Sequence, residues 1–249
     1  YYVPSNAVLS MAGNFSPRKM LDRIRAIFGS LPPAPRPEFK PRPEPEQSGE
    51  RIVNVEGPGE TPYLKVAYHA PAAGDPDFLA MVVLGSVLAG ASGLHFFSSG
   101  ISNKTSRLYR ALVEGELAAA VQGGLAATID PYLYTLHVTV RPDRSASKAL
   151  EVLDAEVERL LDAPIEQAEL EKAIKQARAL FAYSSESVTQ QAFWLGFSEM
   201  FADYGWFEGY LGRLSEISAE QTLECARKYL RRSNRTVGFY HPQGGAAHG

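Results

Sequence analysis

A proline-rich segment near the start of the 249-residue chain places the strongest constraint on its fold. Seven of the fourteen residues from 32 to 45 are proline. Each proline fixes its own φ and biases the residue before it to extended geometry, so no regular helix or inner strand can cross this segment. We therefore predict a semi-rigid linker over residues 32–50, between a short unit at residues 1–31 and a complete domain at residues 51–243.

The composition is that of a globular protein. Hydrophobic residues make up 45% of the chain, enough for a sizeable core, and the formal net charge is −3. The charges form no basic stripe, so we predict no nucleic-acid partner. Cys225 is the only cysteine, which excludes an internal disulfide and a multi-thiolate zinc site. No run of about 18 apolar residues is present, so we predict no membrane span.

Residues 1–31 predict a strand followed by a helix. Residues 7–13 form an apolar run of strand length. Ser16 and Pro17 then provide an N-cap and a first helical residue, and Gly29 provides a stop. The apolar residues between them recur at helical spacing and form one face: Met20, Leu21, Ile24, Ile27 and Phe28.

The segments after the linker indicate an α+β domain. Strands are predicted at residues 51–55, 63–70, 117–128, 132–140 and 235–240, and helices at 78–88, 106–114, 145–161, 165–183, 187–201 and 218–230. Paired strands and runs of helices, without regular βαβ alternation, favour a largely antiparallel sheet with helices on one face. The helix at 78–88 is apolar nearly all round, which predicts burial on most sides. Residues 244–249 are predicted to form a disordered tail.

A short pattern near the start of the chain recurs near its end. Tyr1-x-x-x-Ser5-Asn6 matches Tyr229-x-x-x-Ser233-Asn234, and the second copy joins a helix to the last strand. The match indicates that residues 1–31 are the tail of an earlier, similar domain that is truncated here. The alternative is turn chemistry alone, because Ser and Asn favour loops wherever they occur.

The sequence contains none of the common hydrolytic motifs. It has no pair of histidines one helical turn apart with a nearby Glu, no Gly-x-Ser-x-Gly elbow and no phosphate-binding glycine loop. Cys225 lies in an amphipathic helix, where a buried small apolar residue is the usual interpretation. Each histidine is more consistent with a structural role than with metal binding: His69, His95, His137, His241 and His248.

The loop at residues 94–105 is the stretch least explained by folding. It places Phe96 and Phe97 directly after His95 in a segment rich in Ser and Gly. One interpretation is that the loop folds over the sheet and buries its aromatic rings. The other is that it borders a cavity able to hold an extended peptide.

Five sequence blocks together resemble the second half of the M16 (insulinase/pitrilysin-like) zinc peptidases, in particular the short bacterial two-domain subunits. The likeness covers nearly the whole chain, and the order and spacing of the blocks make it specific. The blocks are residues 2–9 with 12–15, 68–71 with 74–77, 106–112, 169–173 and 229–242.

This resemblance implies a full-length zinc endopeptidase that hydrolyses peptides or unfolded proteins in a chamber between two similar domains. The zinc-binding His-x-x-Glu-His motif of the family belongs to the first domain. The chain is therefore expected to be the non-catalytic second half, without a catalytic residue, metal ligand or cofactor of its own and inactive alone. Its expected partners are its first domain, a peptide substrate and a related subunit in a homo- or heterodimer. The bacterial periplasm or cell envelope is the expected location.

The resemblance also implies residues that line the chamber. In some family subunits a strand Arg and a Tyr two turns later grip the substrate, but residues 132–140 contain no Arg and residues 145–147 no Tyr. Arg141 is only a weak substitute for that pair. The predicted lining residues are His95, Phe96, Phe97, Ser106, Arg107, Tyr109 and Arg141.

Structural and non-catalytic alternatives accompany these expectations. Ser106 is also suited to cap a helix, and Arg107 to pair with Glu114 or Glu116. The alternative for the full-length protein is a scaffold subunit that keeps the fold without the zinc ligands, as in the core subunits of respiratory complexes. A stand-alone peptide-binding module is a third interpretation.

Overall fold

The computed structural model describes residues 1–40, 42, 44–95 and 104–244. Five strands form one sheet: β1 Arg51–Gly57, β2 Tyr63–Ala70, β3 Ala118–Leu125, β4 Tyr132–Val140 and β5 Arg235–Pro242. The α-helices are α1 Pro17–Phe28, α2 Phe78–Leu88, α3 Ala146–Asp162, α4 Gln167–Tyr183, α5 Val188–Phe201, α6 Tyr204–Ser215 and α7 Ala219–Tyr229. A π-helix at Tyr109–Glu114 precedes β3. Of the predicted tail, only Gly244 lies within the described residues.

The sheet has the strand order β1-β5-β2-β4-β3. Neighbouring strands are antiparallel except β1 and β5, which run parallel. The α+β class and the largely antiparallel sheet predicted from the sequence are therefore confirmed. The last strand of the chain lies between the first two, so the sheet is complete only when the two ends of the domain have met.

Alternation along the inner strands gives the sheet one buried face. In β4, Tyr134, Leu136 and Val138 are buried while the residues between them are partly or fully exposed. This is the two-residue period of a strand with one face on the core. All eleven residues of α2 are buried, which confirms the prediction from its uniformly apolar sequence. The helix packs against α4 and α7 and provides the centre of the core.

One of the two strand predictions at the start of the chain is corrected by the structure, and the other is confirmed. Residues 7–13 are extended, but they belong to no strand of the described sheet, and Val8 and Leu9 are 56% and 57% exposed. An apolar run forms a strand only where a partner edge is available. The strand predicted at residues 51–55 does form, as β1, and its Ile52 and Val55 side chains are exposed. β1 lies at the edge of the sheet, where β5 is its neighbour.

The repeated Tyr and Ser-Asn pattern builds the same turn twice. The Asn6 side-chain amide donates to the Tyr1 carbonyl at 3.1 Å, and the Asn234 amide donates to the Tyr229 carbonyl at 2.8 Å. In both copies the Asn backbone N–H also donates to the carbonyl three residues earlier, at 3.0 Å. A short 3-10 turn then leads into extended backbone in each case. The sequence repeat therefore corresponds to a repeat of local structure.

Two buried tyrosines on the inner face of the sheet differ in the hydrogen bonding of their hydroxyl groups. Tyr68 and Tyr134 lie directly opposite each other on β2 and β4. The Tyr68 hydroxyl accepts a hydrogen bond from Arg235 at 3.1 Å, whereas the buried Tyr134 hydroxyl has no partner among the described residues. Burial raises the pKa of Tyr134, so the orphan group stays neutral.

We expect Tyr134→Phe to raise the free energy of unfolding by about 1 kcal/mol, because it removes a buried hydroxyl that makes no hydrogen bond. Urea unfolding measures the change. Tyr68→Phe is the matched control and should lower stability by a similar amount, since it removes a bonded hydroxyl. A Tyr134→Phe variant that is less stable than the native protein would contradict this account.

Candidate functional site

The face of the sheet opposite the helices carries two contrasting rows of side chains. Lys65, His137 and Gln122 are directly paired across β2, β4 and β3 and form a polar row. Two residues further along, the register pairs Ala67, Thr135 and Gly124 into a row of small side chains. Because rows two residues apart share one face, the small row leaves a depression beside the polar row.

A cavity of about 380 Å³ occupies this depression. We call it the sheet trough. Among the residues that line it are Lys65, His95, Gln122, Thr135 and His137. Among the described residues of this lining, Lys65 is the one charged side chain, and none is Asp or Glu. The trough therefore offers hydrogen-bonding groups and a positive charge.

The two histidines of the trough are held in their neutral form. Burial lowers the pKa of His137 below its usual 6.5, and the nearby Lys65 ammonium lowers it further. Burial also lowers the pKa of His95. At neutral pH the positive charge of the trough therefore comes from Lys65, while the imidazoles supply neutral donors and acceptors.

His95 is the predicted lining residue that reaches the trough. Its ring makes edge contacts with two rings of α5. The centroid of the His95 ring lies 5.4 Å from that of Phe193 and 6.0 Å from that of Trp194. The start of the loop at residues 94–105 thus borders a cavity and contacts aromatic rings at the same time. Phe96 and Phe97, which were also predicted to line the chamber, lie outside the described residues.

Arg107 has a structural partner different from the expected one. Its guanidinium forms two parallel hydrogen bonds with Glu169 of α4, at 3.0 Å from Nε and 2.6 Å from Nη2. The expected pairing with Glu114 or Glu116 is wrong, because α4 presents a carboxylate directly alongside the guanidinium. A bidentate pair of this kind fixes both geometry and spacing. The Arg107–Glu169 pair therefore holds the residues directly before the π-helix against α4.

The remaining predicted lining residues lie apart from the trough. Ser106 is buried, and Tyr109 packs against the hydrophobic core. Arg141 directly follows β4, where its backbone N–H donates to the Leu117 carbonyl at 3.1 Å. Of the predicted residues that the structure describes, His95 alone lines the trough. Lys65 and Gln122 are not predicted as lining residues from the sequence, because their alignment with His137 depends on strand register.

The donor set for a metal is missing from the described part of the chain. There, no three His, Cys, Asp or Glu side chains are grouped closely enough to hold a metal ion. The residues present do not fit the zinc site of an M16 peptidase. Within the same residues, no helix combines the length and apolar character needed to cross a membrane.

Comparison with known proteins identifies the family. The family model described as "Peptidase M16 inactive domain" matches residues 1–177. A curated relative, the zinc protease PqqE of Helicobacter pylori, is 24% identical over 255 residues, which cover 97% of this chain and 53% of the relative. The chain therefore spans about half the length of this relative.

Solved structures agree on the fold. A Helicobacter pylori protease matches 93% of this chain with 54% of its own, at a TM-score of 0.80 and 21% identity. A Bordetella parapertussis structure described as an "inactive peptidase domain" is 30% identical, with a TM-score of 0.64, and the match covers 76% of this chain and 95% of that one. The periplasmic protease PqqL of Escherichia coli shares the fold, with a TM-score of 0.68 and 17% identity over 93% of this chain and 25% of its own. The chain thus belongs to the M16 peptidase family, as the inactive C-terminal domain of a zinc protease-like protein.

Proposed function

We propose that this chain is the supporting half of a zinc-dependent endopeptidase. The observation that carries the proposal is the match of residues 1–177 to the inactive-domain model of a peptidase family. The zinc site lies in the first domain, outside this chain, and the substrate is a peptide or an unfolded protein. The relative named as a zinc protease supports this assignment. We propose no metal or cofactor for this chain itself.

The contribution of this chain to the reaction is a second wall for the substrate chamber. The open face of the sheet, with the sheet trough, is the surface suited to that role, because main-chain and neutral polar groups can hold a peptide without reacting with it. His95 forms part of this wall. The other predicted lining residues lie apart from the trough and stabilise the domain that carries it: Ser106, Arg107, Tyr109 and Arg141.

We also propose that residues 1–31 are the end of the first domain, residues 32–50 the linker and residues 51–243 the second domain. The matching turns at Asn6 and Asn234 support this division. By analogy with β5, residues 7–13 then form a strand in the sheet of the first domain. Their exposed apolar side chains, including Val8 and Leu9, would be covered there.

This division predicts a difference in hydrogen exchange. The backbone amides of residues 7–13 should exchange slowly in the full-length protein, because strand pairing protects them, and rapidly in the 249-residue chain. Mass spectrometry of peptic fragments measures both rates. The amides of β4 serve as the control and should be protected in both proteins. Equally rapid exchange at residues 7–13 in the two proteins would reject the division.

The partners and the location of the full-length protein are proposed on the basis of the same family membership. We propose that the two domains act together with a second, related subunit, in a homo- or heterodimer, and that the protein works in the bacterial periplasm or cell envelope. The fold shared with a periplasmic protease supports this location.

The supporting role is tested by removing this half from the full-length protein. A variant truncated directly after residue 31 should keep its zinc, because the ligands belong to the first domain, and should lose most cleavage of an unstructured peptide. Zinc content measured on the same samples controls for misfolding. Full cleavage by the truncated variant would show that the second half is dispensable and would overturn the proposal.

A further inference from the structure

An open groove runs between α4 and α6, which pack against each other in the helix layer. Its volume is about 730 Å³. The groove therefore lies on the side of the domain away from the sheet trough. Four apolar side chains line it: Leu170, Ile174, Leu211 and Ile217. An apolar groove between two helices is a surface on which a further helix can pack. We call it the α4 groove.

The wall that α4 contributes to the groove carries charges in a fixed order. Glu171 lies toward the start of the helix, and Lys175 and Arg178 lie toward its end. All three side chains are exposed. Glu171 accepts a hydrogen bond from Gln167 at 2.8 Å, whereas neither Lys175 nor Arg178 forms an ion pair within the described residues. A helix whose charges run in the opposite direction would therefore complement this wall.

A second copy of α4 has that charge order when it runs antiparallel. If a two-fold axis passes between Ile174 and Lys175, Glu171 of each copy faces Arg178 of the other. The same symmetry places the aliphatic stem of Lys175 beside Ile174 of the second copy. Such an interface is isologous, because the same surface serves both copies and each contact occurs twice.

Side-chain sizes fit the same register. Leu170 of one copy faces Ala179 of the other, and Gln167 faces Ala182. A large side chain thus meets a small one in both pairs, which lets two helices approach closely. Every α4 residue in the described lining of the groove belongs to one of these four pairs, counting the two described above. One register therefore accounts for the charges and the sizes together.

We propose that two copies of this chain associate through the α4 groove, with their α4 helices antiparallel about a two-fold axis between Ile174 and Lys175. This inference deepens the proposed pairing with a related subunit and rests on that part of the proposed function. It requires neither zinc nor cleavage. Because the groove lies in the helix layer, association here leaves the sheet trough open to the substrate chamber.

The register is tested by disulfide crosslinking of the full-length protein under mild oxidation. In Lys175→Cys the two introduced thiols lie beside the axis, so a linked dimer should form. In Gln167→Cys they lie about 22 Å apart along the helices, which is farther than a disulfide can span. Gln167→Cys alone should therefore stay unlinked, while its mixture with Ala182→Cys should crosslink. Equal crosslinking of Lys175→Cys and Gln167→Cys, or none above that of the oxidised native protein, would overturn the proposal.

The charge pairing is tested by reversal on each side. Arg178→Glu and Glu171→Arg should each weaken self-association of the full-length protein about a hundredfold, because two opposite-charge pairs become two like-charge pairs. An equal mixture of the two variants should associate about as tightly as the native protein, since opposite charges then face each other in both pairs. Sedimentation velocity measures all four samples.

The matched control for these reversals is Lys148→Glu. This lysine pairs with Glu151 on α3 and is not among the residues that line the α4 groove. Its reversal makes the same change in charge as Arg178→Glu and should leave self-association unchanged. A loss of association in the single α4 variants that their mixture does not restore would contradict the proposed register.

The outcomes separate this inference from the proposed peptidase. Crosslinking in the expected register by a protein that contains no zinc would keep the α4 interface and reject the peptidase. Zinc-dependent cleavage by a protein that does not crosslink through Lys175→Cys would keep the peptidase and reject the α4 interface. Self-association that neither set of variants alters would keep the proposed dimer, place it on another surface and overturn the inference.

Discussion

Arg235→Met lowers the free energy of unfolding of this chain by about 3–5 kcal/mol, because the buried Asp154 carboxylate loses its buried partner and keeps only a 3.2 Å contact with the exposed Arg232. The Arg235 side chain is 2% exposed. Two of its nitrogens donate to the two oxygens of Asp154, at 2.5 and 3.0 Å, and Nε donates to Glu50 at 2.5 Å. These contacts and the bond to Tyr68 raise the pKa of Arg235 against the opposing effect of desolvation.

The arginine connects segments that are distant in sequence. It begins β5, while Asp154 lies on α3 and Glu50 at the end of the linker. The Gln47 side-chain amide also donates to the Arg235 carbonyl at 2.7 Å. Loss of the guanidinium therefore weakens the attachment of the linker as well as the core.

Urea unfolding of single and double variants tests this network. Lys148→Met removes an exposed ion pair with Glu151 and should cost less than about 1 kcal/mol. Arg235→Met combined with Asp154→Leu should recover much of the stability lost in the single variant, because neither buried charge remains. A loss of less than about 1 kcal/mol for Arg235→Met alone would contradict the role assigned to the pair.

Trp206→Ala is expected to lower the free energy of unfolding by about 3–5 kcal/mol, through the cavity it leaves and the lost hydrogen bond. The Trp206 side chain is 5% exposed, and its indole N–H donates to the Ala73 carbonyl at 2.9 Å. Its ring contacts Phe78 and Phe201 edge-on, with centroids 6.1 and 4.9 Å apart. The residue thereby anchors α6 to the start of α2.

The matched control lies two residues away on the same helix. Tyr204 is 56% exposed, so Tyr204→Ala should change the stability by less than about 0.5 kcal/mol. Urea unfolding compares the two variants under the same conditions. If both variants lost a similar free energy of unfolding, the loss would reflect weaker helix formation in α6, and the indole would have no anchoring role.

Local sequence pattern predicts the elements whose signals are local. The helix α2 follows from its apolar sequence, and the start of α7 follows from the Ser218 and Gln221 capping box, which is present in the structure. By contrast, α6 is not predicted, because Gly205, Gly209 and Gly212 lower its helix propensity. Tertiary packing of Trp206 and neighbouring aromatic rings compensates for that weakness.

Local sequence patterns do not predict features that depend on contacts between distant parts of the chain. The exposure of β1 depends on β5, which follows it in sequence by more than half the chain. The partner of Arg107 is 62 residues away, on α4. The sheet trough likewise depends on the register that aligns Lys65, His137 and Gln122 on three strands. A single sequence specifies these residues but not their alignment.

Measurements of zinc content and of peptide cleavage together test the division of labour between the two halves. The full-length protein and this 249-residue chain are assayed side by side with an unstructured reporter peptide, with and without a chelator. We expect about one zinc per full-length chain and chelator-sensitive cleavage, with neither in the 249-residue chain. A full-length protein that binds no zinc and cleaves nothing would rule out this division of labour and favour a scaffold subunit with the M16 fold.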